Sequence, residues 1–247
     1  SEMCIRDRAQ LAATTDGKIT ATDAKKAADS DHGIEVALFG RMVADSKDLN
    51  VDSAVQVAHA LSTHAVEIES DYFTAVDDYK LDEDDAGAGM IGTVEFTSET
   101  LYRFAAVAVS TLKDNLGDVD LTAQAASAFV RGFIMSMPTG KQNTFANNTI
   151  PDAVVVQVRK GRSASFIGAF EDPVTSDDGG FVAASCQAVA AYAHDCEEAF
   201  LGAPEASFVT RVGSRTEAIG TMGTQMPIDD LVSSVRDQVT SLLQDES

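Results

Sequence analysis

A pair of alternating segments around an acidic tip is the feature that most constrains how this sequence can fold. In residues 64–76, small or apolar side chains alternate with carboxylates: Val66, Ile68 and Ser70 with Glu67, Glu69 and Asp71. Because successive side chains of a strand point to opposite faces, this period of two predicts a half-buried strand. Residues 90–96 predict a second strand, and the acidic, glycine-containing segment between them predicts a long tip. We therefore expect a projecting β-hairpin at about residues 64–96.

Each predicted arm of this hairpin carries an apolar residue on the side otherwise given to water. Phe73 shares its side with Glu69 and Asp71. Ile91 shares its side with Glu95. Such departures from binary patterning mark contact sites, and an exposed aromatic ring can stack on a nucleic-acid base for about 1–3 kcal/mol without reading its identity. A contact between subunits would also explain apolar residues at these positions, and so would a bulge that shifts which face each side chain points to. These alternatives stay open.

The remaining segments predict a mixed order of helices and strands. Residues 34–44 suit either a short helix or a buried strand. The helical spacing of apolar residues from Val51 to Leu61, behind the N-cap residue Asn50, predicts a helix. A nearly continuous valine run at 153–158 predicts a central strand buried on both faces. The other predictions are a helix that ends at Pro138, a helix over 182–200, a strand over 208–212 and a helix over 231–242. This order predicts an α+β fold.

The charge of the chain argues against a simple nucleic-acid binder. The net charge is −21, which repels phosphate at long range, whereas nucleic-acid binders usually carry a basic footprint. A local basic groove on an acidic surface, or basic residues on a part of the protein absent here, would reconcile the two. No apolar run approaches the roughly 18–20 residues that span a bilayer. The three cysteines are too few for a disulfide framework, and we expect a reducing cytoplasm.

Catalytic and metal sites have little support in the sequence. Among the four histidines, His64 falls at the start of a predicted strand, where a structural role is commoner than that of a general base. Cys186, His194 and Cys196 match no zinc spacing, and a single helix that carries all three cannot surround a tetrahedral ion. A buried helix face explains both cysteines. We expect no catalytic residue, no metal and no cofactor.

The loop MPTGKQNTFANN at residues 137–148 is the strongest candidate for contacts with phosphate. It is not a Walker loop, which needs Gly in place of Met135 and Ser or Thr in place of Gln142. The flexible Gly140, the cation of Lys141 and the amides of Gln142 and Asn143 nevertheless suit the phosphates and sugar hydroxyls of a nucleic acid. A polar surface loop without a ligand is the equally supported alternative.

Several ordered blocks of this sequence resemble the CasC family, the repeated backbone subunit of the type I-E CRISPR Cascade complex. The blocks are IEVALFGRMVAD, NVDSAVQVAHALSTHAVEIESDYFTAVDD, GAGMIGTVEFTSETLYRFA and MPTGKQNTFA. The resemblance runs in order from about Ile34 to the C-terminus. Four blocks in the right order and spacing are more specific than any single motif.

This resemblance implies a fold with a palm, a thumb and flanking helices. The palm is expected to be RNA-recognition-motif-like (ferredoxin-like) and to occupy residues 34–247, with the thumb β-hairpin inserted at about 64–96. Residues 1–8 resemble nothing in the family and are expected to be an artefact, and the rest of 1–33 a remnant of the fingers region. Nothing here matches the first palm strand or the basic segment of family members. We therefore expect that strand to be missing and a sheet edge to be unpaired.

The resemblance also implies a function and a set of partners. Family members polymerise head to tail along CRISPR RNA and hold the guide for pairing with target DNA, without catalysis. The expected partners are therefore CRISPR RNA, target DNA through the guide, copies of the chain itself and other Cascade subunits, with no membrane. The resemblance also matches Met42 to a methionine that wedges against the RNA. Together with the thumb and the loop described above, it gives as expected RNA-binding residues Met42, Tyr72, Phe73, Thr74, Ile91, Lys141, Gln142 and Asn143.

Two other functions remain open from the sequence. A CRISPR RNA-processing endoribonuclease of the same system can share this fold, and His64 is the one candidate base near the expected groove. An oligomeric scaffold that binds no RNA would use Phe73 for self-association instead.

Overall fold

Antiparallel pairing between residues 55–75 and 90–107 builds the first half of the structure. The computed structural model describes residues 33–44, 47–75, 90–176 and 180–245. Six short strands form this pairing, which we call the ribbon: β1 (Val55–Val57), β2 (Leu61–Ser62), β3 (Glu69–Ala75), β4 (Met90–Phe96), β5 (Leu101–Tyr102) and β6 (Ala105–Val107). β1 pairs with β6, β2 with β5 and β3 with β4, all antiparallel. We call the β2–β5 pair and the residues that border it, 61–64 and 100–103, the root of the hairpin.

Two irregularities in register divide the ribbon into three parts. From the pair Val55–Val107 to the pair Leu61–Tyr102, one arm advances six residues and the other five. From there to the first pair of β3 and β4, the arms advance eight and six residues. Extra residues on one arm bend an antiparallel pair and increase its twist. The outer β3–β4 pair therefore points in a different direction from the inner β1–β6 pair, which packs in the core.

The helix predicted between Val51 and Leu61 is wrong, because these residues contribute β1 and β2. Val55 is 7% exposed and packs in the core, whereas Gln56 and Val57 are exposed. The apolar segment 101–107 supplies a long-range pairing partner, and this pairing overrides the local helical spacing. Residues 34–44, which suited a helix or a strand, contain a short helix.

The predicted hairpin is confirmed as the β3–β4 pair, which runs in unbroken register from Glu69–Phe96 to Ala75–Met90. Its first arm begins at Glu69 rather than at His64. All seven residues of β3 are exposed, so the prediction of a half-buried arm is wrong. The acidic tip predicted between the two arms lies outside the described residues.

Helices pack around a small sheet in the second half of the chain. The α-helices of the described residues are α1 (Ile34–Phe39), α2 (Val109–Leu116), α3 (Val119–Met135), α4 (Gln142–Phe145), α5 (Val182–Cys196) and α6 (Ile228–Asp245). β7 (Ala153–Val158) pairs antiparallel with β8 (Ala206–Arg211), which pairs parallel with β9 (Thr224–Gln225). α3 and α6 cover one face of this sheet, and α5 with the 3-10 helix Ser214–Met222 covers the other.

Strand β7 is packed on both faces, as the valine run predicts. Val154 and Val156 lie in the cluster of α3 and α6, and Val155 lies in the cluster of α5. The prediction that this strand is central is wrong: among the described residues the strand order is β7–β8–β9, so β7 lies at an edge of the sheet. The middle strand is β8, whose Val209 is 0% exposed.

Local signals explain where the longer helices begin and end. Asp118 caps α3, its Oδ1 accepting a hydrogen bond from the Leu121 N–H at 2.7 Å. The same helix ends at Met135, shortly before Pro138, as predicted. The helices predicted at 182–200 and 231–242 and the strand at 208–212 are also present. The α+β fold class is thus confirmed, whereas the assignments of residues 1–32 lie outside the described residues.

None of the helices in the described ranges is long and apolar enough to cross a membrane.

Leu231→Ala should lower the free energy of unfolding by about 2–5 kcal/mol, because it empties a fully buried position between α6 and α3. Leu242, half-buried on the same helix, provides a matched control, and Leu242→Ala should cost less. Chemical denaturation followed by circular dichroism measures both variants. Equal losses would contradict the packing of α6 described above.

Candidate nucleic-acid interface

The two apolar residues singled out on the hairpin lie on opposite faces of the ribbon. Phe73 pairs with Gly92, and Ile91 pairs with Thr74. Directly paired residues of an antiparallel ladder project to the same face, and neighbours along a strand to opposite faces. Phe73 and Ile91 therefore do not form one contact patch, although each does lie on an exposed surface. The hairpin offers two different surfaces to a ligand.

The face that carries Phe73 forms an aromatic and apolar strip, bordered by the carboxylates of Glu69 and Asp71, which pair with Phe96 and Val94. A Cβ atom added at Gly92 would lie 2.7 and 2.8 Å from two carbons of the Phe73 ring, so the ring sits directly over the glycine backbone. Val94 follows on the same face and is half-buried, and Phe96 closes the strip next to the root. Phe73 is 37% exposed, which leaves part of its ring open to stack on a base.

The opposite face carries Tyr72, Thr74 and Ile91. Tyr72 and Ile91 are each 61% exposed, and Thr74 lies directly across from Ile91. Exposed side chains of this size on a two-stranded projection have no core to pack into. This face therefore presents an aromatic ring, a hydroxyl and an aliphatic group side by side.

The Lys141 loop meets the hairpin through a pair of rings. Its residues form the single-turn helix α4, bracketed by Lys141 and Ala146 with φ of 58° and 51°. The ring of Phe145 packs against that of Phe96, with 5.7 Å between centroids. Left-handed backbone at two residues with side chains costs free energy, and such strain concentrates where a loop is shaped for binding. The loop and the strip of the Phe73 face are thus parts of one surface.

The polar groups predicted for this loop are available to a ligand. Lys141, Gln142 and Asn143 are exposed, and Gln142 donates from Nε2 to Asn148 Oδ1 at 2.8 Å. Within the described residues, no carboxylate lies within 4.0 Å of the Lys141 ammonium. The loop can therefore offer a cation and amides to phosphate or sugar oxygens.

His64 is built into the root of the hairpin. Its ring stacks on Phe181 with 3.7 Å between centroids, and only 8% of the residue is exposed. Nε2 accepts a hydrogen bond from the Thr100 N–H at 3.1 Å, so Nδ1 carries the hydrogen and donates it to the Ala65 carbonyl at 2.8 Å. Main-chain groups thus occupy both ring nitrogens.

Further contacts fix the root to the second half of the chain. The Ser185 hydroxyl donates to Thr63 Oγ1 at 2.8 Å in a buried position. The Tyr102 hydroxyl accepts from the Phe166 N–H at 3.0 Å. On the next residue, the guanidinium of Arg103 lies 4.5 Å from the centroid of the Phe133 ring. Because these contacts come from three different segments, the hairpin leaves the body in a defined direction.

Met42, the remaining predicted contact, lies at the other end of the ribbon. It follows Arg41, which forms an isolated bridge with Val51 just before β1, and it is 87% exposed. The structure therefore separates Met42 from the hairpin and the Lys141 loop, which it brings together.

Sequence reasoning missed Phe96, Phe145 and Tyr102, the residues that connect the predicted contacts. Phe145 stands inside the polar loop 137–148, and this aromatic in an otherwise polar stretch is the signal that could have marked a docking contact. Phe96 and Tyr102 gave no signal beyond strand propensity.

The cysteines behave as parts of a helix face. Burial, together with the charge of Asp152, raises the pKa of the Cys186 thiol to about 11, so it stays protonated at neutral pH. Cys196 is half-buried on the same helix, whereas the side chain of His194 is 70% exposed. The described ranges contain no cluster of three or more potential metal ligands.

Phe145→Ala should speed amide hydrogen exchange in residues 142–146, because a single helical turn is unstable without the ring contact to Phe96. The control is Ile150→Ala, which removes a nearby apolar side chain that is 67% exposed. Exchange measured by mass spectrometry should change in the first variant only. Unchanged exchange in Phe145→Ala would show that the loop does not depend on the hairpin.

Comparison with known proteins adds independent information. The model of a family described as CT1975-like protein matches residues 2–234. A chain of a solved structure titled "CRISPR RNA-guided surveillance complex, pre-nicking" is 34% identical with a TM-score of 0.78, over 92% of this chain and 62% of that one. A chain titled "CRISPR RNA-guided surveillance complex" is 35% identical with a TM-score of 0.71, over 81% of this chain and 78% of that one. Among curated proteins, no relative matches.

These matches agree with the sequence resemblance. The present chain spans 62% of the length of the first structural relative, so it corresponds to part of that protein. The family match extends over most of the sequence, and both structural relatives share about a third of its residues. The chain belongs to the CT1975-like family of Cas proteins.

Proposed function

We propose that this protein is a backbone subunit of a Cascade-type CRISPR surveillance complex that binds guide RNA without reading its sequence. The observation that carries the proposal is the continuous surface formed by the Phe73 face of the hairpin and the Lys141 loop, joined at the Phe96–Phe145 contact. The similarity to chains of two CRISPR RNA-guided surveillance complexes supports it.

The chemistry of this surface suits RNA whose base edges remain free. Aromatic and aliphatic groups contact the faces of bases, which every base has, and so they do not select a sequence. Lys141 and the neighbouring amides suit phosphates and 2′-hydroxyls. A guide held in this way keeps its Watson–Crick edges available for target DNA.

The finer assignment follows the sequence resemblance. We propose the type I-E CasC role: copies of the chain, with an RNA-recognition-motif-like palm and a thumb, polymerise along CRISPR RNA together with other Cascade subunits. The hairpin corresponds to the thumb in this proposal. Its exposed second face, with Tyr72 and Ile91, would contact the RNA or the neighbouring copy.

A structural rather than an enzymatic role is favoured by the surroundings of His64. A general base must reach the proton that it removes through a free nitrogen. The hydrogen bonds of His64 to Thr100 and Ala65 leave neither ring nitrogen free, and stacking on Phe181 holds the ring in place. An endoribonuclease that uses this residue would need the root of the hairpin to open.

The direct test is to co-express the protein with its CRISPR array, purify it, and sequence the RNA that accompanies it. We expect guides of uniform length derived from the array. Phe73→Ala should weaken RNA binding about 5- to 150-fold if a stacking contact is lost, and Lys141→Ala should weaken it at low salt. Val212→Ala, which alters a 55% exposed apolar residue just after β8 and outside the strip and the Lys141 loop, should have no effect.

The other functions give different results in the same experiment. Folded protein without RNA, while the array is transcribed, would contradict the proposal and favour the scaffold, especially if Phe73→Ala weakens self-association. Loss of guide cleavage in His64→Ala, with the protein still folded, would favour the endoribonuclease.

A further inference from the structure

The densest group of cations in the sequence lies at residues 159–162, outside the surface described so far. Arg159, Lys160 and Arg162 place three positive charges within four residues of a chain that has only 18 Lys and Arg against 39 Asp and Glu. We call this segment the basic turn. It follows directly on β7 and lies outside the surface formed by the Phe73 face and the Lys141 loop.

Arg159 has a structural role in this segment. Its guanidinium pairs with the Glu197 carboxylate and is 9% exposed. It also donates from Nη1 to the Gly202 carbonyl at 2.8 Å and from Nε to Gln157 Oε1 at 3.1 Å. Its charge is therefore neutralised, and its contacts hold the start of the basic turn against the end of α5.

Lys160 and Arg162 have the opposite character. Both are exposed, and within the described residues no carboxylate lies within 4.0 Å of either. Between them Gly161 has a φ of 96°, which turns the chain, and no heavy atom lies within 4 Å of the position its Cβ would take. Two unneutralised cations on an open turn of a strongly acidic protein are suited to an anionic partner.

The position of the basic turn links it to the root of the hairpin. Three residues after Arg162, the Ser165 hydroxyl lies 3.5 Å from the Tyr102 hydroxyl, which also accepts from the Phe166 N–H. Three residues of chain reach at most about 10 Å, so Arg162 lies close to the ribbon. Along the same arm, Phe96 is six residues from Tyr102, which an extended chain would separate by at most about 20 Å. The basic turn therefore lies near the root, whereas Gly92 lies further out along the hairpin.

We propose that Lys160 and Arg162 bind backbone phosphates of the RNA that contacts the hairpin. This inference rests on the proposed function and extends its surface to the root of the hairpin. Phosphate is favoured over a protein carboxylate because the basic turn is held next to the root of the same hairpin that carries the stacking groups and contacts the Lys141 loop, all of which suit a nucleic acid.

The test measures the affinity of the purified chain for a fluorescein-labelled single-stranded RNA of mixed sequence, from roughly 50 to 200 mM salt. The variant is Lys160→Gln with Arg162→Gln. Two lost phosphate contacts should reduce the slope of log K against log salt by about 1.4 and weaken binding at low salt about tenfold or more. Lys160→Arg with Arg162→Lys should keep the slope, because the charges remain.

A matched control separates a local contact from the change in net charge. Lys113→Gln with Arg215→Gln removes the same two charges, from α2 and from the 3-10 helix beyond the far end of β8. This control should leave the slope almost unchanged. Equal changes of slope in the two double variants would overturn the inference.

Two other outcomes distinguish the inference from the proposed function. If the unaltered chain binds no RNA, the proposed function fails and the inference with it. If the unaltered chain binds RNA and the Lys160 and Arg162 variant binds with the same slope, only the inference fails. In that case, loss of self-association on size-exclusion chromatography would assign the basic turn to contact with another copy.

Discussion

The antiparallel pairing of the ribbon is the interaction on which the candidate site depends. At its inner end Val55 is buried in the core, and from Glu69 outward every residue of β3 is exposed. A two-stranded hairpin is marginally stable in water when it has no third layer to pack against. The hairpin must therefore take its direction and much of its stability from its root, where His64, Thr63 and Tyr102 contact the second half of the chain.

This arrangement bears on how the proposed RNA surface could work on an acidic protein. The hairpin carries the carboxylates of Glu69, Asp71 and Glu95 beside its stacking groups, so the cations that meet phosphate must come from neighbouring segments. The exposed cations Lys141 and Lys160 belong to segments that contact the ribbon, at Phe96 and at Tyr102 respectively. A few charges at these places can act on phosphate at short range, while the net charge of −21 acts at long range and is screened by salt.

The sequence predicted the elements whose signal is local. The hairpin arms, the helix that ends before Pro138 and the amphipathic helix α6 follow from alternation, a helix-ending proline and helical spacing. It failed for residues 51–61, where the partner segment 101–107 decides the structure from a distance. The contact between Phe96 and Phe145 could not be predicted from the sequence for the same reason, because it joins chain segments about 50 residues apart. The sequence could nominate candidate contact residues, but it could not show which of them share a face.

The central claim is that RNA lies along the ribbon, between the hairpin and its root. Ultraviolet cross-linking of the protein to its co-purified RNA, with the adducts mapped by mass spectrometry, tests this most directly. The account predicts cross-links at Tyr72 or Phe73, in the Lys141 loop, and at the basic turn. Cross-links confined to the surfaces of α5 and α6, with none on the ribbon or the two segments that contact it, would contradict the account.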